Sequence, residues 1–157
     1  MMTFSFIQQC RKSSADGKIL FPFEDNEEFN PHWWKRFSYL TGSYTLFEVR
    51  TGGVEVARIE LDSNVATDEY IGAPELGDVA LEIQFIEVAS SWRGRGIGSR
   101  VVQLLEENYR GRRLVAFSEN ADGFWASLGW DRYDHREGWP HYRPLFVSGS
   151  TRKPEDR

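Results

Sequence analysis

The chain has 157 residues and a formal net charge of −5, with 40% hydrophobic and 15% aromatic residues. This length fits one domain of roughly 100–200 residues, and the aromatic content disfavours wholesale disorder. The single cysteine, Cys10, excludes an internal disulfide, and no apolar run approaches the ~20 residues of a membrane-spanning helix. The N-terminal segment does not have the charge order of a secretory signal. We therefore expect a cytoplasmic protein with a single domain over 1–147 and a flexible C-terminal tail over 148–157.

The N-terminal half predicts a helix, a hairpin and a loop. Pro31 suits the first turn of a helix, and the apolar residues after it approximate helical spacing, which predicts a short helix over 31–40. Two β-rich runs over 43–61 flank Thr51-Gly52-Gly53. They predict a hairpin, because glycine supplies the positive φ of a tight turn. Turn-forming residues over 62–79 predict a long surface loop.

The strand predicted over 81–88 changes phase along its length. Apolar and polar residues alternate over 81–85, but Ile86 is apolar where a polar residue is due. An extra residue at this point, a β-bulge, reconciles the two halves and puts Glu82, Gln84 and Glu87 on one face. A plain strand with a misjudged end fits the same pattern.

The C-terminal half continues as alternating helices and strands. An amphipathic helix begins near Ile97 and ends near Gly111. A short strand over 114–117 and a short helix over 121–130 follow it. Two strands within 130–147, around a turn near Glu137-Gly138, complete the chain of elements. This order of elements predicts a mixed α/β fold.

Positive charge is concentrated in one segment of an acidic chain. Residues 93–113 contain six Arg and two Glu, a balance of +4, which leaves −9 for the remainder. This distribution favours a small anionic ligand over nucleic acid, because the rest of the surface would repel a long polyanion. A solvated basic helix flank explains the same charges equally well.

The segment Arg93-Gly94-Arg95-Gly96-Ile97-Gly98 lies between a predicted strand and a predicted helix. Glycines at a helix start let backbone N–H groups approach a ligand, and these groups with the helix dipole favour a phosphate. Arginines add forked donors that suit phosphate oxygens. The dinucleotide fingerprint is incomplete because Ser99 stands in place of its third glycine, and the P-loop sequence is absent.

This glycine-rich segment resembles motif A of the GNAT superfamily of acyl-coenzyme A N-acyltransferases. The signature is Arg or Gln, two residues, Gly, one residue, then Gly or Ala, and Arg93, Gly96 and Gly98 fill it. Residues 116–130 resemble the family's next strand and helix, with an aromatic pair, three residues, Gly and an aromatic. The resemblance covers about residues 43–147 and implies a GNAT-like α/β fold with a central, mostly antiparallel, bulged sheet and flanking helices.

The resemblance implies acetyl-coenzyme A as co-substrate and no metal. Its pyrophosphate would lie on the N–H groups of 95–98, and its pantetheine arm along 87–89, where the Val88 N–H would polarise the thioester carbonyl. The histidines also lack Cys or carboxylate partners at ligand spacing. The residues implied in cofactor binding are Val88, Ala89, Arg93, Gly94, Arg95, Gly96, Ile97, Gly98, Ser99, Arg100, Asn120, Phe124 and Trp125.

The reaction that the resemblance implies is direct attack of a primary amine on the thioester in a ternary complex. A base is useful because the amine is mostly protonated at neutral pH. Glu82 matches the position of the base in the histone-acetyltransferase branch of the family, and Glu87 is the second candidate. Many bacterial members carry a carboxylate where this chain has Gln84.

The acid that protonates the departing thiolate is harder to assign. The family commonly supplies a Tyr at the position of Trp125, and an indole N–H is not a practical proton donor. Tyr133, His135, Tyr142 or water would have to replace it.

The acceptor is expected to be cationic, since carboxylates and aromatic faces favour an amine through charge and cation–π contacts. A small-molecule amine, a protein lysine or a protein N-terminus would suit. We expect no nucleic-acid or membrane partner, and the family's frequent dimers allow a homodimer. The rival interpretations are a catalytically silent acyl-coenzyme A-binding sensor or regulatory module, and a nucleic-acid-binding domain, which the −9 balance disfavours. The residues considered for the acceptor are Asp25, Glu27, Glu28, Trp33, Trp34, Trp139, His141 and Tyr142.

Overall fold

A computed structural model of the chain describes residues 2–10, 12–35 and 44–149. The predicted helix over 31–40 lies partly outside these ranges, and its described residues 31–34 form turns. All but the first two residues of the predicted tail over 148–157 also lie outside them.

The described residues form nine β-strands and two α-helices, with 3-10 turns at Gly77–Val79 and Ser90–Trp92. The order along the main sheet is β1-β4-β5-β6-β7-β9-β8, and β2 pairs with β3 separately. Of the described ladders, the one between β6 and β7 is parallel and the others are antiparallel. The predicted mixed, mostly antiparallel α/β fold is confirmed. The elements are β1 Ser5–Gln9, β2 Lys12–Ser13, β3 Ile19–Leu20, β4 Thr45–Thr51, β5 Val54–Asp62, β6 Ala80–Val88, α1 Ile97–Asn108, β7 Arg113–Phe117, α2 Asp122–Ser127, β8 Asp131–Tyr133 and β9 Leu145–Val147.

The chain divides into two units, to each of which β6 and α1 contribute. The first unit contains residues 1–62 and 85–101, and the second contains 63–84 and 102–157. A core of the first unit forms around Phe23, Phe29, Trp34, Leu46 and Ala89. A core of the second unit forms around Leu76, Ala80, Val115, Leu145 and Val147.

The β4–β5 hairpin forms where the sequence predicts it. Gly52 and Gly53 have φ of 55° and 79°, the pair of positive values that a two-residue type I′ turn requires. The ladder runs from Thr45↔Leu61 to Thr51↔Val54, with a register shift at Val49/Arg50. The bulge that we predicted in β6 stays a prediction.

Besides the turns at 31–34 and the unpredicted pair β2–β3, three further features differ from the sequence-based expectations. Strand β1, which we did not predict, pairs with β4 from Ser5↔Arg50 to Gln9↔Leu46; its alternation is weak because it is an edge strand with mostly exposed side chains. Helix α1 ends at Asn108 rather than near Gly111, because a turn closed by the Arg112 N–H and the Tyr109 carbonyl (2.8 Å) follows it. Strands β8 and β9 are joined by residues 134–144, a longer connection than the predicted tight turn.

Candidate active site

The glycine-rich loop before α1 is open to a ligand. Gly94 and Gly96 have φ of +77° and +74°, and a Cβ added to either would meet no atom within 4 Å. The Arg100 N–H donates to the Gly96 carbonyl (3.1 Å), which begins the helix and leaves the preceding N–H groups without intrahelical partners. In the described part of the chain, no backbone hydrogen bond outside helices and strands uses the N–H groups of 95–98. The residues present therefore fit a pyrophosphate.

The arginines of this loop have different surroundings. Arg93 turns back to β6, where its Nε donates to the Val88 carbonyl (3.2 Å) and its Nη2 to Glu87 Oε2 (3.3 Å). Arg95 is exposed, with its guanidinium 4.7 Å from the centroid of the Trp92 ring. Arg100 is exposed on the first turn of α1. Arg95 and Arg100 are thus better placed than Arg93 to meet an anion.

The other predicted residues of this segment contribute backbone rather than charge. The Ile97 side chain is buried, so the residue can offer a ligand only its backbone. Gly98 and Ser99 are half-buried in the first turn of α1.

The end of β6 presents one N–H group away from β5. The Ala89 N–H donates to the Val56 carbonyl (2.8 Å), so Ala89 offers a ligand only its carbonyl oxygen. Because backbone N–H groups alternate in direction along a strand, the Val88 N–H points to the opposite edge. That direction suits the polarising role implied for Val88.

Glu87 is a buried anchor for the N-terminal segment. Its side chain is 7% exposed, and its two oxygens accept the Asn30 N–H at 3.0 and 3.2 Å. Its Oε1 also accepts the Trp34 Nε1–H at 2.8 Å, and Arg93 supplies a further donor. These donors occupy both carboxylate oxygens, which makes Glu87 a structural anchor rather than a group open to a substrate amine.

A second carboxylate attaches the same segment to the turn after β6. Glu28 Oε2 accepts the Ser91 N–H (2.7 Å) and the Ser90 hydroxyl (3.0 Å). The Ser90 N–H donates to the Glu28 carbonyl (3.1 Å). The bond from the Ser91 N–H is the largest cause that lowers the pKa of Glu28 from its ordinary value of 4.5.

The lowered pKa of Glu28 predicts a pH-dependent contribution to stability. Because the folded state favours the carboxylate, this contribution is present above pH 4.5 and is lost as the pH falls through the folded-state pKa. We expect Glu28→Gln to lower the melting temperature at pH 7 and to have a smaller effect below pH 4, measured by thermal unfolding across pH. Glu27→Gln, at an exposed neighbour, is the control, and a Glu28→Gln effect that stays constant across this range would contradict the assignment.

Glu82 lies in the second unit, where β6 pairs with β7. The parallel ladder ends at Glu82↔Val115, and the Glu82 side chain is half-buried. Burial is the largest cause that raises the pKa of the Tyr70 hydroxyl, and the charges of Tyr142 and Glu82 raise it further. Tyr70, in the loop over 63–79, is therefore a neighbour of Glu82 that no sequence pattern indicates.

Two of the candidate acids are in contact. The His135 and Tyr142 rings stack with centroids 3.6 Å apart, and Tyr70 meets His135 edge-on at 5.1 Å. His135 Nδ1 accepts the Glu137 N–H (3.1 Å), so a neutral His135 carries its proton on Nε2. Tyr133 instead packs against the core of the second unit.

Trp125, implied as a cofactor contact, is buried in the interior of the second unit. Its ring lies 4.9 Å from Phe124 and 4.8 Å from Trp130 by centroid distance. Asn120, by contrast, is exposed with a φ of 56°. A cavity of about 500 Å³ is lined by Asn120, His135 and other residues of this unit, so a predicted cofactor residue and a candidate acid share one space.

The residues considered for the acceptor are distributed over several places. Asp25, Glu27 and Trp34 line a cavity of about 560 Å³ in the first unit. Trp139 and Tyr142 line the cavity of the second unit. Glu28 accepts hydrogen bonds from the turn after β6. Trp33 packs on Phe85 with ring centroids 5.5 Å apart. His141 is exposed.

Neither a metal site nor a membrane span is found in the described ranges. No group of three or more His, Cys, Asp or Glu there is arranged to hold a metal ion. None of the helices there has the length and apolar character needed to span a bilayer.

Comparisons with known proteins identify the family. A solved acetyltransferase from Thermus thermophilus is 17% identical, with 69% of this chain and 65% of that chain covered and a TM-score of 0.50. The ribosomal-protein-S18-alanine N-acetyltransferase from Escherichia coli is 16% identical, with 100% and 99% covered and a TM-score of 0.51. A GNAT family acetyltransferase from Elizabethkingia anophelis, solved with acetyl-CoA bound, is 18% identical, with 70% and 76% covered and a TM-score of 0.44.

At these identities the solved structures show the fold alone, and this chain spans about two thirds of the Thermus protein. A search of curated proteins found no match. The family model described as Acetyltransferase (GNAT) family matches residues 19–130, well over half of the chain. The chain therefore belongs to the GNAT acetyltransferase family, and the predicted acyltransferase class is confirmed.

Proposed function

We propose that the protein is an N-acetyltransferase that moves the acetyl group of acetyl-coenzyme A to a primary amine by direct attack in a ternary complex. The observation that carries the proposal is the open loop at Gly94 and Gly96, which leads into the N-terminus of α1. The direction of the Val88 N–H supports it as well.

The cofactor supplies an activated acetyl thioester. The N–H groups of 95–98, with Arg95 and Arg100, would hold its pyrophosphate. Asn120, Phe124 and Trp125 are carried over from the family as further cofactor contacts. The Val88 N–H would donate to the thioester carbonyl as negative charge develops on that oxygen.

The chain's titratable groups would move two protons. Glu82 would accept one from the attacking amine, directly or through water. A C–N bond forms and the C–S bond breaks, and the thiolate takes a proton from water or from a donor of the late segment. Among these candidates, His135 and Tyr142 line a cavity together with Asn120.

The proposal is tested with acetyl-coenzyme A and a library of amines, by following thiol release. Polyamines, aminoglycosides, amino-acid derivatives and lysine peptides cover the acceptor classes that the sequence favours. Turnover with any class supports the enzyme. Tight coenzyme A binding with no turnover across the library would favour the acyl-coenzyme A sensor. The observation that motivates this alternative is the interior packing of Trp125 at the position where the family commonly has a Tyr.

Glu82→Gln is expected to lower kcat by about 10²-fold, which is the lower end of the range for general base catalysis. The coenzyme A-induced shift in melting temperature should stay unchanged, because Glu82 is not assigned to cofactor binding. Steady-state rates from pH 6 to 9 measure the effect, with Glu75→Gln in the exposed loop as control. Unchanged rates at every pH would remove Glu82 from the base role.

A further inference from the structure

A cavity of the first unit lies between the segment 23–35 and Arg58 of β5. Its volume is about 560 Å³, its wall is formed by residues of the segment 23–35, and Arg58 of β5 also lines it. Trp34 belongs to this wall and donates to Glu87, the residue before Val88. The volume lies within the ~300–1,000 Å³ of small-molecule sites.

Arg58 is a buried cation whose hydrogen bonds to the described residues use only its Nε and Nη2. Its side chain is only 4% exposed. Its Nε donates to Glu55 Oε2 (2.9 Å), and its Nη2 donates to Glu55 Oε1 (2.9 Å) and to the Glu24 carbonyl (2.8 Å). No hydrogen bond from its Nη1 occurs within the described residues. Because Arg58 lines the cavity and its Nε and Nη2 are already used, Nη1 is the candidate ligand contact.

Aromatic rings hold the guanidinium in place. Its carbon lies 4.7 Å from the Phe23 ring centroid and 4.3 Å from that of Phe29. Both phenylalanines also line the cavity. These contacts, with the two bonds to Glu55, keep Nη1 in a defined position, so a ligand that uses it loses little further side-chain entropy.

The charges of the cavity determine what kind of oxygen Nη1 would meet. Glu55 already compensates the charge of Arg58. The remaining charged residues of the wall are Glu24, Asp25, Glu27 and Lys35, and Lys35 is paired with Asp25. The cavity is therefore net negative, which favours an ammonium group and disfavours a carboxylate.

We propose that this cavity binds the acceptor and selects an α-amino amide, as found in an amino-acid amide or at the N-terminus of a peptide. Arg58 Nη1 donates to the neutral carbonyl oxygen, and the carboxylates of the wall attract the amine. Arg58 is then a specificity-determining residue rather than a catalytic one. This inference rests on the proposed function, because it names the acceptor class of the same reaction.

The test compares three amines of similar size: alaninamide, which has the neutral carbonyl, alanine, which has a carboxylate, and isopropylamine, which has neither. Thiol release gives kcat/KM for each, expressed per concentration of unprotonated amine because the three amines differ in basicity. Nuclear magnetic resonance titration without acetyl-coenzyme A gives the Kd. We expect alaninamide to exceed both others by about tenfold in kcat/KM, the value of one added hydrogen bond. Alanine or isopropylamine performing as well as alaninamide would overturn the inference.

The variant Arg58→Lys keeps the positive charge beside Glu55 and removes the Nη1 donor. It should lower kcat/KM for alaninamide about tenfold and leave that for isopropylamine within twofold. An equal loss for both amines would contradict the role of Nη1. If Arg58→Lys does not fold, the ranking of the three amines on the unaltered protein still tests the inference.

The two proposals fail in different ways. Binding of alaninamide that weakens in Arg58→Lys, with no thiol release from any amine, supports the site and contradicts the transferase. Release of thiol with no preference among the three amines supports the transferase and contradicts the site.

Discussion

Gly96→Glu is expected to abolish the stabilisation of the protein by coenzyme A. At a coenzyme concentration 100 times its Kd, binding stabilises the folded state by about 2.7 kcal/mol. For a chain of this size that corresponds to a rise in melting temperature of roughly 5–10 °C. In the variant we expect a rise of less than ~1 °C, since the new side chain would enter the space open at Gly96 and its charge would repel the pyrophosphate.

The control for Gly96→Glu has to match both strain and charge. Gly96 has a φ of +74°, so any side chain there is strained irrespective of a ligand. Gly72, in the surface loop of the second unit, has a φ of +75° and equally open space around its Cβ position. Gly72→Glu should therefore lower the melting temperature by a similar amount and keep the full coenzyme A shift. Normal coenzyme binding by Gly96→Glu would show that the pyrophosphate lies elsewhere.

Glu87→Ala is expected to be the most destabilising single substitution among those discussed. It leaves the Asn30 N–H, the Trp34 indole N–H and the Arg93 guanidinium without the carboxylate that now accepts from them. Removing one member of a buried charged network costs about 3–5 kcal/mol, which lowers the melting temperature by roughly 10 °C. Urea or thermal unfolding at pH 7 measures it.

The control for Glu87→Ala is Glu107→Ala, at an exposed position on α1. A surface substitution of this kind changes the free energy of unfolding by about 0.5 kcal/mol or less. The variant Glu87→Gln tests whether Glu87 acts as the base rather than as an anchor. A variant that loses turnover while keeping its stability would instead place Glu87 at the reaction as the base, contrary to the anchor role.

The local elements and the chemistry of the loop could be predicted from short-range sequence patterns. The hairpin turn at Gly52-Gly53, the strand over 80–88 and the glycine-rich start of α1 could be predicted because spacing and positive-φ glycines act over a few residues. The family signature uses the same short range: Arg93, Gly96 and Gly98 lie within six positions.

The roles of the polar residues in the strands, by contrast, depend on long-range contacts. Glu87 and Arg58 look like residues of a solvated strand face, yet both are buried beneath the segment 23–35. Glu87 meets Asn30 and Trp34 across sequence separations of 57 and 53 residues. Strand alternation separates the two faces of a strand but does not reveal which face another segment covers. That depends on contacts between distant residues, which local patterns do not encode.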